Sequence, residues 1–284
     1  MKATYEELLN SFIDNALKED VGEGDHTSLS CIPDSAHGKA KLLVKERGII
    51  AGIHVARSVF HKADGQLGIQ IYIQDGSRIK PGDIVFDVTG NIHAILKTER
   101  LVLNILQRMS GIATKTAQYV KCLHGLKTKI LDTRKTTPGV RFLEKEAVRI
   151  GGGYNHRMGL YDMIMIKDNH VDFAGGIRKA IEKTHTYLKR KNLDLKVEIE
   201  ARNFREIEQI LASGCVDRIM LDNFSIADTI IAVKMINGRF ETESSGGITL
   251  DNIRAYAECG VDYISVGALT HHINSLDLSL KAIT

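Results

Sequence analysis

Between residues 131 and 141 the chain reads LDTRKTTPGVR, so Asp132, Thr133, Arg134, Lys135, Thr136 and Thr137 follow directly on an apolar run. A surface turn needs only Pro138-Gly139. The charge ahead of it suits a grip on an anion, with arginine binding carboxylates bidentately and lysine acting as a point charge. Further cations stand in GGGYNHRMG, as His156 and Arg157, and in KDNH, as Lys167. So many positive groups imply a ligand with several anionic groups.

Two more constellations carry chemistry. Glu198, with Glu200 two residues on, and Asp222 are carboxylates at the ends of apolar segments. Such a pair can act as acid and base, hold Mg²⁺ directly or through water, or accept hydrogen bonds from sugar hydroxyls. ESSGGITLDNI places Ser245, Gly246 and Gly247 between an apolar segment and a helix expected from Thr249–Leu250. Exposed backbone N–H groups at such a turn form a phosphate nest. Val266, Gly267 and Ala268 in SVGALTHH offer the other half of a phosphate cup, whereas His271 and His272, being adjacent, lack metal-ligand spacing.

These groups need elements to position them. From residue 128 onward, short apolar strands alternate with amphipathic helices: TKILDT, DMIMIKDN, KVEIEA, RIMLDN, FETESS and YISVGA. Asp222, Ser245 and Gly267 fall at equivalent strand ends, at intervals of 23 and 22 residues (245−222 and 267−245). That is the spacing of successive βα units, and the C-terminal strand ends of such a barrel form its active face. The expected fold is therefore a C-terminal α/β barrel of six or seven strands behind an N-terminal α+β sandwich domain. In the N-terminal part, Thr4 and Glu7 make a capping box for a first helix. KAKLLVKE, IQIYIQDG, GDIVFDVTG and HAILK read as strands, with a helix over HVARSVFHKA. A long helix from Glu99 bridges the halves, with Arg100 near its start, a poor place for a cation in the field of the helix dipole. The expected division is 1–110 for the first domain, 111–272 for the barrel, and 273–284 for a C-terminal helix returning toward the first domain.

Composition narrows the function. A net charge of +3 over 284 residues argues against nucleic acid as a partner. Cys31, Cys122, Cys215 and Cys259 form no Cys-x-x-Cys pair, which argues against structural zinc and fits a reducing cytoplasm. MKATYEELLN has no apolar core of a secretory signal, and no run is long enough to span a membrane.

The ordered set EDVGEGDHTS, ERLVLNILQRMSGIAT, LDTRKTTPG, RIGGGYNHRMGLYDMIMIKDNH, VEIE, LDNF, ESSGGI and YISVGALTHH resembles the quinolinate phosphoribosyltransferase family over nearly the whole chain. The resemblance implies phosphoribosyl transfer from phosphoribosyl pyrophosphate to quinolinate, with loss of pyrophosphate and CO₂, giving nicotinate mononucleotide in NAD biosynthesis. It implies Mg²⁺ and no organic cofactor. By the same resemblance, Lys135, Glu198 and Asp222 are the catalytic residues, and Glu198 and Asp222 hold the ribose and the metal. Arg134, His156, Arg157 and Lys167 bind the acceptor carboxylates. Thr133, Ser245, Gly246, Gly247, Val266, Gly267, Ala268 and His271 complete the substrate contacts. Arg100 is implied to reach the acceptor of a partner subunit, which requires at least a homodimer with shared sites. Two other readings stand beside this one: a same-fold enzyme for another anionic acceptor, and a non-catalytic phosphometabolite-binding protein.

Overall fold

The structure, a computed structural model, describes residues 4–283; residues 1–3 and 284, included in the expected domains, lie outside the described residues. The chain begins with α1 (Tyr5–Val21), α2 (His26–Cys31), β1 (His37–Val44), β2 (Gly48–Ile49), α3 (Ile53–Ala63), β3 (Gly68–Ile71), β4 (Arg78–Ile79), β5 (Ile84–Asn91) and α4 (Ile92–Cys122). It continues with β6 (Lys129–Leu131), α5 (Arg141–Ile150), β7 (Ile164–Ile166), α6 (Asp168–Ala174), α7 (Ile177–Lys191), β8 (Val197–Ala201), α8 (Phe204–Ser213), β9 (Arg218–Asp222) and α9 (Ile226–Ile236). Last come β10 (Glu241–Ser245), α10 (Ile253–Glu258), β11 (Tyr263–Ser265), α11 (Ala268–His271) and β12 (Leu278–Ile283).

Two compact units share these elements. The first runs to Ala117 and takes in Thr136–Gly152 and the chain from Thr270 on; the second is Gln118–Lys135 with Gly153–Leu269. The first unit carries a four-stranded antiparallel sheet in the order β12-β1-β5-β3. Its N-terminal helix has the expected box: Thr4 Oγ1 accepts the Glu7 amide at 3.2 Å, and Glu7 Oε2 accepts the Thr4 amide at 2.7 Å.

Three expectations are corrected here. Residues 278–283 form a strand, not a helix: Leu278 and Leu280 are buried and alternate with Ser279, a period-two pattern that pairs with β1 from Lys39↔Ile283 to Val44↔Leu278. HAILK is helical, the start of α4; Asn91 Oδ1 accepts the Ala94 amide at 3.1 Å and so caps it. A five-residue apolar run does not tell strand from helix, and the cap decides. Arg100 then lies about two turns inside α4, where the dipole argument no longer applies.

In the second unit the six expected strands pair in parallel, in the order β6-β11-β10-β9-β8-β7, as the sheet of an incomplete α/β barrel. Tyr154 adds a single parallel bridge on the free side of β6, to Leu131. Side chains alternate between the two faces. One face carries Ile164, Ile166, Ile199, Ile219, Leu221 and Ile264, and all but Ile164 are buried. The other carries Glu198, Glu200, Arg218, Asp222, Glu243, Ser245 and Ser265. The interior of the sheet is thus polar where a packing core would be apolar.

The lowest part of that face is a closed charge cluster. Arg218 Nη1 meets Glu243 Oε2 at 2.8 Å and Glu198 Oε2 at 3.9 Å, and its guanidinium lies 3.8 Å from the centre of the Tyr263 ring. Glu198 and Glu243 are both wholly buried, and one oxygen of each, Oε1, has no hydrogen-bond partner. Burial pushes the Glu198 carboxyl up to about 7 against the pull of Arg218. Burial and the neighbouring Glu198 charge push Glu243 up to about 7 as well. The two titrate as a pair that shares protons.

The folded protein therefore binds more protons than the unfolded chain between the ordinary carboxyl value of 4.5 and about 7. The pair's contribution to stability is full below that window and is lost as pH rises through it, on the order of a few kcal/mol. Glu243→Gln keeps an acceptor for Arg218 without the titrating group. Urea unfolding across the window should show a smaller pH slope in Glu243→Gln than in the wild type; parallel slopes would mean that the pair does not titrate on unfolding.

Candidate active site

The segment that begins LDTR divides its labour. Asp132, fully buried, accepts the His156 amide at 2.9 Å on Oδ1 and the Asn155 side-chain amide at 2.5 Å on Oδ2. It therefore fixes the loop that carries His156 and Arg157 to the end of β6. Thr133 Oγ1 accepts the Lys135 amide at 3.1 Å, a local turn that presents the exposed Lys135. Beyond it, within the first unit, Thr136 Oγ1 accepts from Arg141 Nε at 2.9 Å. Thr137 Oγ1 accepts from Arg108 Nη2 at 2.8 Å, and Arg108 Nε in turn donates to Glu144 at 2.7 Å. The two threonines hold the loop rather than face a ligand.

Arg157 is half-buried, and its Nη1 donates to the Met163 carbonyl at 3.2 Å. Burial and the charge of Arg134 both push its guanidinium below the ordinary arginine value. Two like charges brought together at the end of one sheet raise the free energy of the ligand-free protein, and an anion between them relieves it. Lys167, half-exposed at the head of α6, pairs its Nζ with Glu200 Oε1.

The structure separates Glu198 from Glu200. Strand β8 runs toward the active end, so Glu200 lies nearer the mouth and meets Lys167 and the Asp168 amide, at 3.4 Å for the latter. Glu198 lies one layer down, with no exposure. His156, expected to face the acceptor, is also buried. Its Nε2 bonds Glu198 Oε2 at 2.9 Å, and its Nδ1 accepts the Arg157 amide at 2.7 Å. Both ring nitrogens are thus engaged within the protein.

Asp222 and Ser245 end adjacent strands as register partners, matching the repeat interval. Asn223, with φ +57°, follows, and its amide donates to the Ser245 carbonyl at 2.8 Å. Gly246 has φ +92°, and a Cβ there would stand 2.1 Å from Asn223 Oδ1; Gly247 has φ +63° and faces open space. Thus Gly246 is required by packing, and Gly247 is the glycine open to a ligand. Helix α10 starts only at Ile253, not at Thr249; Asn252 closes the intervening turn by accepting the Thr249 amide at 2.8 Å and donating to the Gly247 carbonyl at 3.0 Å. Val266 donates to the Leu131 carbonyl at 3.0 Å and leads through Gly267 to Ala268, the first residue of α11. Arg100 and His271, both exposed, belong to the first unit, and the His271 ring packs on His272 with centroids 4.4 Å apart.

Mg²⁺ takes oxygen ligands and keeps several waters. His156, Glu198 and Glu243 offer three ligand atoms within 4.8 Å of one another, but they are buried and Arg218 already supplies the positive charge there. That set does not fit Mg²⁺. Asp222, partly exposed at its strand end, and Glu200, buried but nearer the mouth where a ligand can compete for Lys167, are oxygen ligands closer to the active end. No helix among the described residues is long and apolar enough to cross a membrane.

Family models described as the N-terminal and C-terminal domains of quinolinate phosphoribosyl transferase match residues 25–110 and 112–281. A quinolinate phosphoribosyltransferase (decarboxylating) 2a, mitochondrial, of Nicotiana tabacum is 44% identical over 99% of this chain and 83% of its own length. A probable nicotinate-nucleotide pyrophosphorylase (carboxylating) of Bacillus subtilis is 41% identical over 96% of this chain and 91% of its own. The crystal structure of NadC from Streptococcus pyogenes superposes with a TM-score of 0.92 at 38% identity, covering 100% of both chains. Matches of this extent, over both units and every strand that carries the site, mean that the chain belongs to the quinolinate phosphoribosyltransferase family.

Proposed function

We propose that the protein transfers the phosphoribosyl group of phosphoribosyl pyrophosphate to quinolinate, releasing pyrophosphate and CO₂ and forming nicotinate mononucleotide for NAD biosynthesis. The observation that carries this reading is that Arg157 lies within the field of Arg134 and of Glu200, and Glu200 is the partner of Lys167. A pyridine with adjacent carboxylates is the acceptor such a cluster suits. Arg134, Arg157 and Lys167 take the carboxylates and aim the ring nitrogen at the anomeric carbon. The N–H groups of Ser245–Gly247 and Val266–Ala268 hold the 5-phosphate, and Lys135 holds the pyrophosphate. Asp222 and Glu200, rather than the buried Glu198, face the ribose hydroxyls.

Displacement at the anomeric carbon passes through an oxocarbenium-like state, so orientation and fixed charge supply most of the rate. Mg²⁺, held by Asp222 and Glu200 through water, would neutralise charge on the departing pyrophosphate. Once the ring nitrogen is alkylated and cationic, it stabilises the electron pair that CO₂ leaves on the adjacent carbon, and a proton then replaces the carboxylate. The reading extends to a homodimer in which Arg100 serves the partner's site, and to a cytoplasmic location, which the four free cysteines support. With quinolinate, phosphoribosyl pyrophosphate and Mg²⁺, pure protein should release pyrophosphate and CO₂ in equal amounts. Failure to consume quinolinate, or equal use of nicotinate, would overturn the reading.

Arg157→Ala should weaken quinolinate binding by about 2–5 kcal/mol by leaving a carboxylate unpaired, with little change for phosphoribosyl pyrophosphate. Titration calorimetry with each ligand measures both, and equal losses would move Arg157 out of the acceptor site. Gly247→Ala should raise KM for phosphoribosyl pyrophosphate on the order of tenfold, the equivalent of about 1.4 kcal/mol, with unchanged circular dichroism. Unaltered kinetics would take the phosphate away from this turn. Arg100→Ala and Lys135→Ala, each nearly inactive alone, should recover about a quarter of wild-type activity after subunit exchange, because about half the dimers then hold one intact site. No recovery would confine Arg100 to its own chain.

A further inference from the structure

The buried Glu198 carboxylate lies below the mouth, yet it is joined to Arg157 by two consecutive hydrogen bonds. Glu198 Oε2 meets His156 Nε2 at 2.9 Å, and His156 Nδ1 meets the Arg157 amide at 2.7 Å. A backbone N–H only donates, so Nδ1 must carry a lone pair, and the ring proton then sits on Nε2. With the ring proton on Nε2, Glu198 Oε2 is the acceptor, so a proton shared by Glu198 and Glu243 sits on another of their oxygens. The two bonds therefore agree on a neutral ring with its proton on Nε2. The opposite tautomer would set N–H against N–H at Arg157 and a lone pair against a carboxylate at Glu198.

The neighbours hold this arrangement in place. Arg218 from β9 stands 3.9 Å from Glu198 and 2.8 Å from Glu243, Glu243 from β10 stands 3.7 Å from His156 Nε2, and Glu241 takes the outer side of Arg218 at 3.2 Å. Asp132, just past the end of β6, pins the His156 amide at 2.9 Å. Ring and backbone of His156 are thus both fixed by residues that do not reach the mouth, and the next residue is Arg157.

We propose that Glu198 is a positioning residue: by fixing the Nε2–H tautomer of His156, it holds the Arg157 backbone where its guanidinium serves the acceptor. This rests on the acceptor role of Arg157 given above. Glu198 then acts on substrate through His156 and Arg157 and does not touch it. Glu198→Gln retains the function, because His156 Nε2–H and Arg218 are both donors and turn the amide oxygen toward themselves; its NH₂ then falls to the orphaned Glu243 Oε1. Glu198→Leu, close in volume, has no acceptor.

The test combines steady-state kinetics with ¹⁵N NMR of the ligand-free, full-length protein. The wild type and Glu198→Gln should show His156 protonated on Nε2 and an Arg157 amide shift in common. In Glu198→Leu that signature should be lost and KM for quinolinate should rise about 10- to 100-fold, the loss of one hydrogen bond to a charged group, while KM for phosphoribosyl pyrophosphate stays within about twofold. Both KM values rising together, with altered circular dichroism, would mean a merely structural residue and overturn the proposal. So would a wild-type ring proton on Nδ1, or a Leu variant with the wild-type signature. If the wild type turns over no quinolinate, the acceptor reading fails by itself, whereas the tautomer measurement still decides whether Glu198 fixes His156.

Discussion

Arg218 enters the sheet at the first position of β9 and places one guanidinium between carboxylates from the strands on either side, Glu198 and Glu243. Two buried carboxylates without that charge would be untenable, since an ion removed from water must be paired or neutralised. With it, they form a polar floor for the site, and the layers above inherit their geometry. His156 is held by Glu198, Arg157 by His156, and the loop that carries both by Asp132. The cations at the mouth are therefore held against their mutual repulsion by bonds made below them.

This arrangement explains why the sheet presents a polar face where a packed core might be expected. A site for a ligand with several negative groups needs cations that do not collapse onto nearby acids. The pairing of Lys167 with Glu200 is a partial collapse of that kind, and it occurs at the mouth, where a ligand can compete for the lysine. The deeper acids are already committed to Arg218 and His156. Separation into layers keeps Arg134 and Arg157 close together despite like charge.

Much of this was legible in the sequence. The six strands, their order of use and the equivalence of Asp222 with Ser245 follow from the βα interval, because a repeat length is insensitive to packing detail. The roles of Glu198 and Glu200 were decidable in principle: VEIEA alternates, so both share a face, and in a parallel barrel the later residue lies nearer the active end. Reading only strand ends also hid Arg218 and Glu243, which sit at the start and middle of RIMLD and ETESS with the parity of Asp222 and Ser245. The tautomer of His156 could not be read, since a bond from its own neighbour's amide depends on a loop conformation that no pattern encodes. The errors at HAILK and at the C-terminus have a common source, short apolar segments whose state is set by a distant cap or partner.

The pairing of β12 with β1 has a consequence for biosynthesis. The sheet of the first unit opens at His37, but its outer strand is supplied by Leu278–Ile283, which follow the whole second unit in the chain. Until then one edge of β1 has no strand partner, and such edges recruit strands from other chains. Folding of that sheet cannot finish before the second unit has been made, however early its other strands emerge. The nascent protein carries an open edge for the time needed to make the whole second unit, so production at high concentration should favour aggregates nucleated on β1 rather than on the barrel strands.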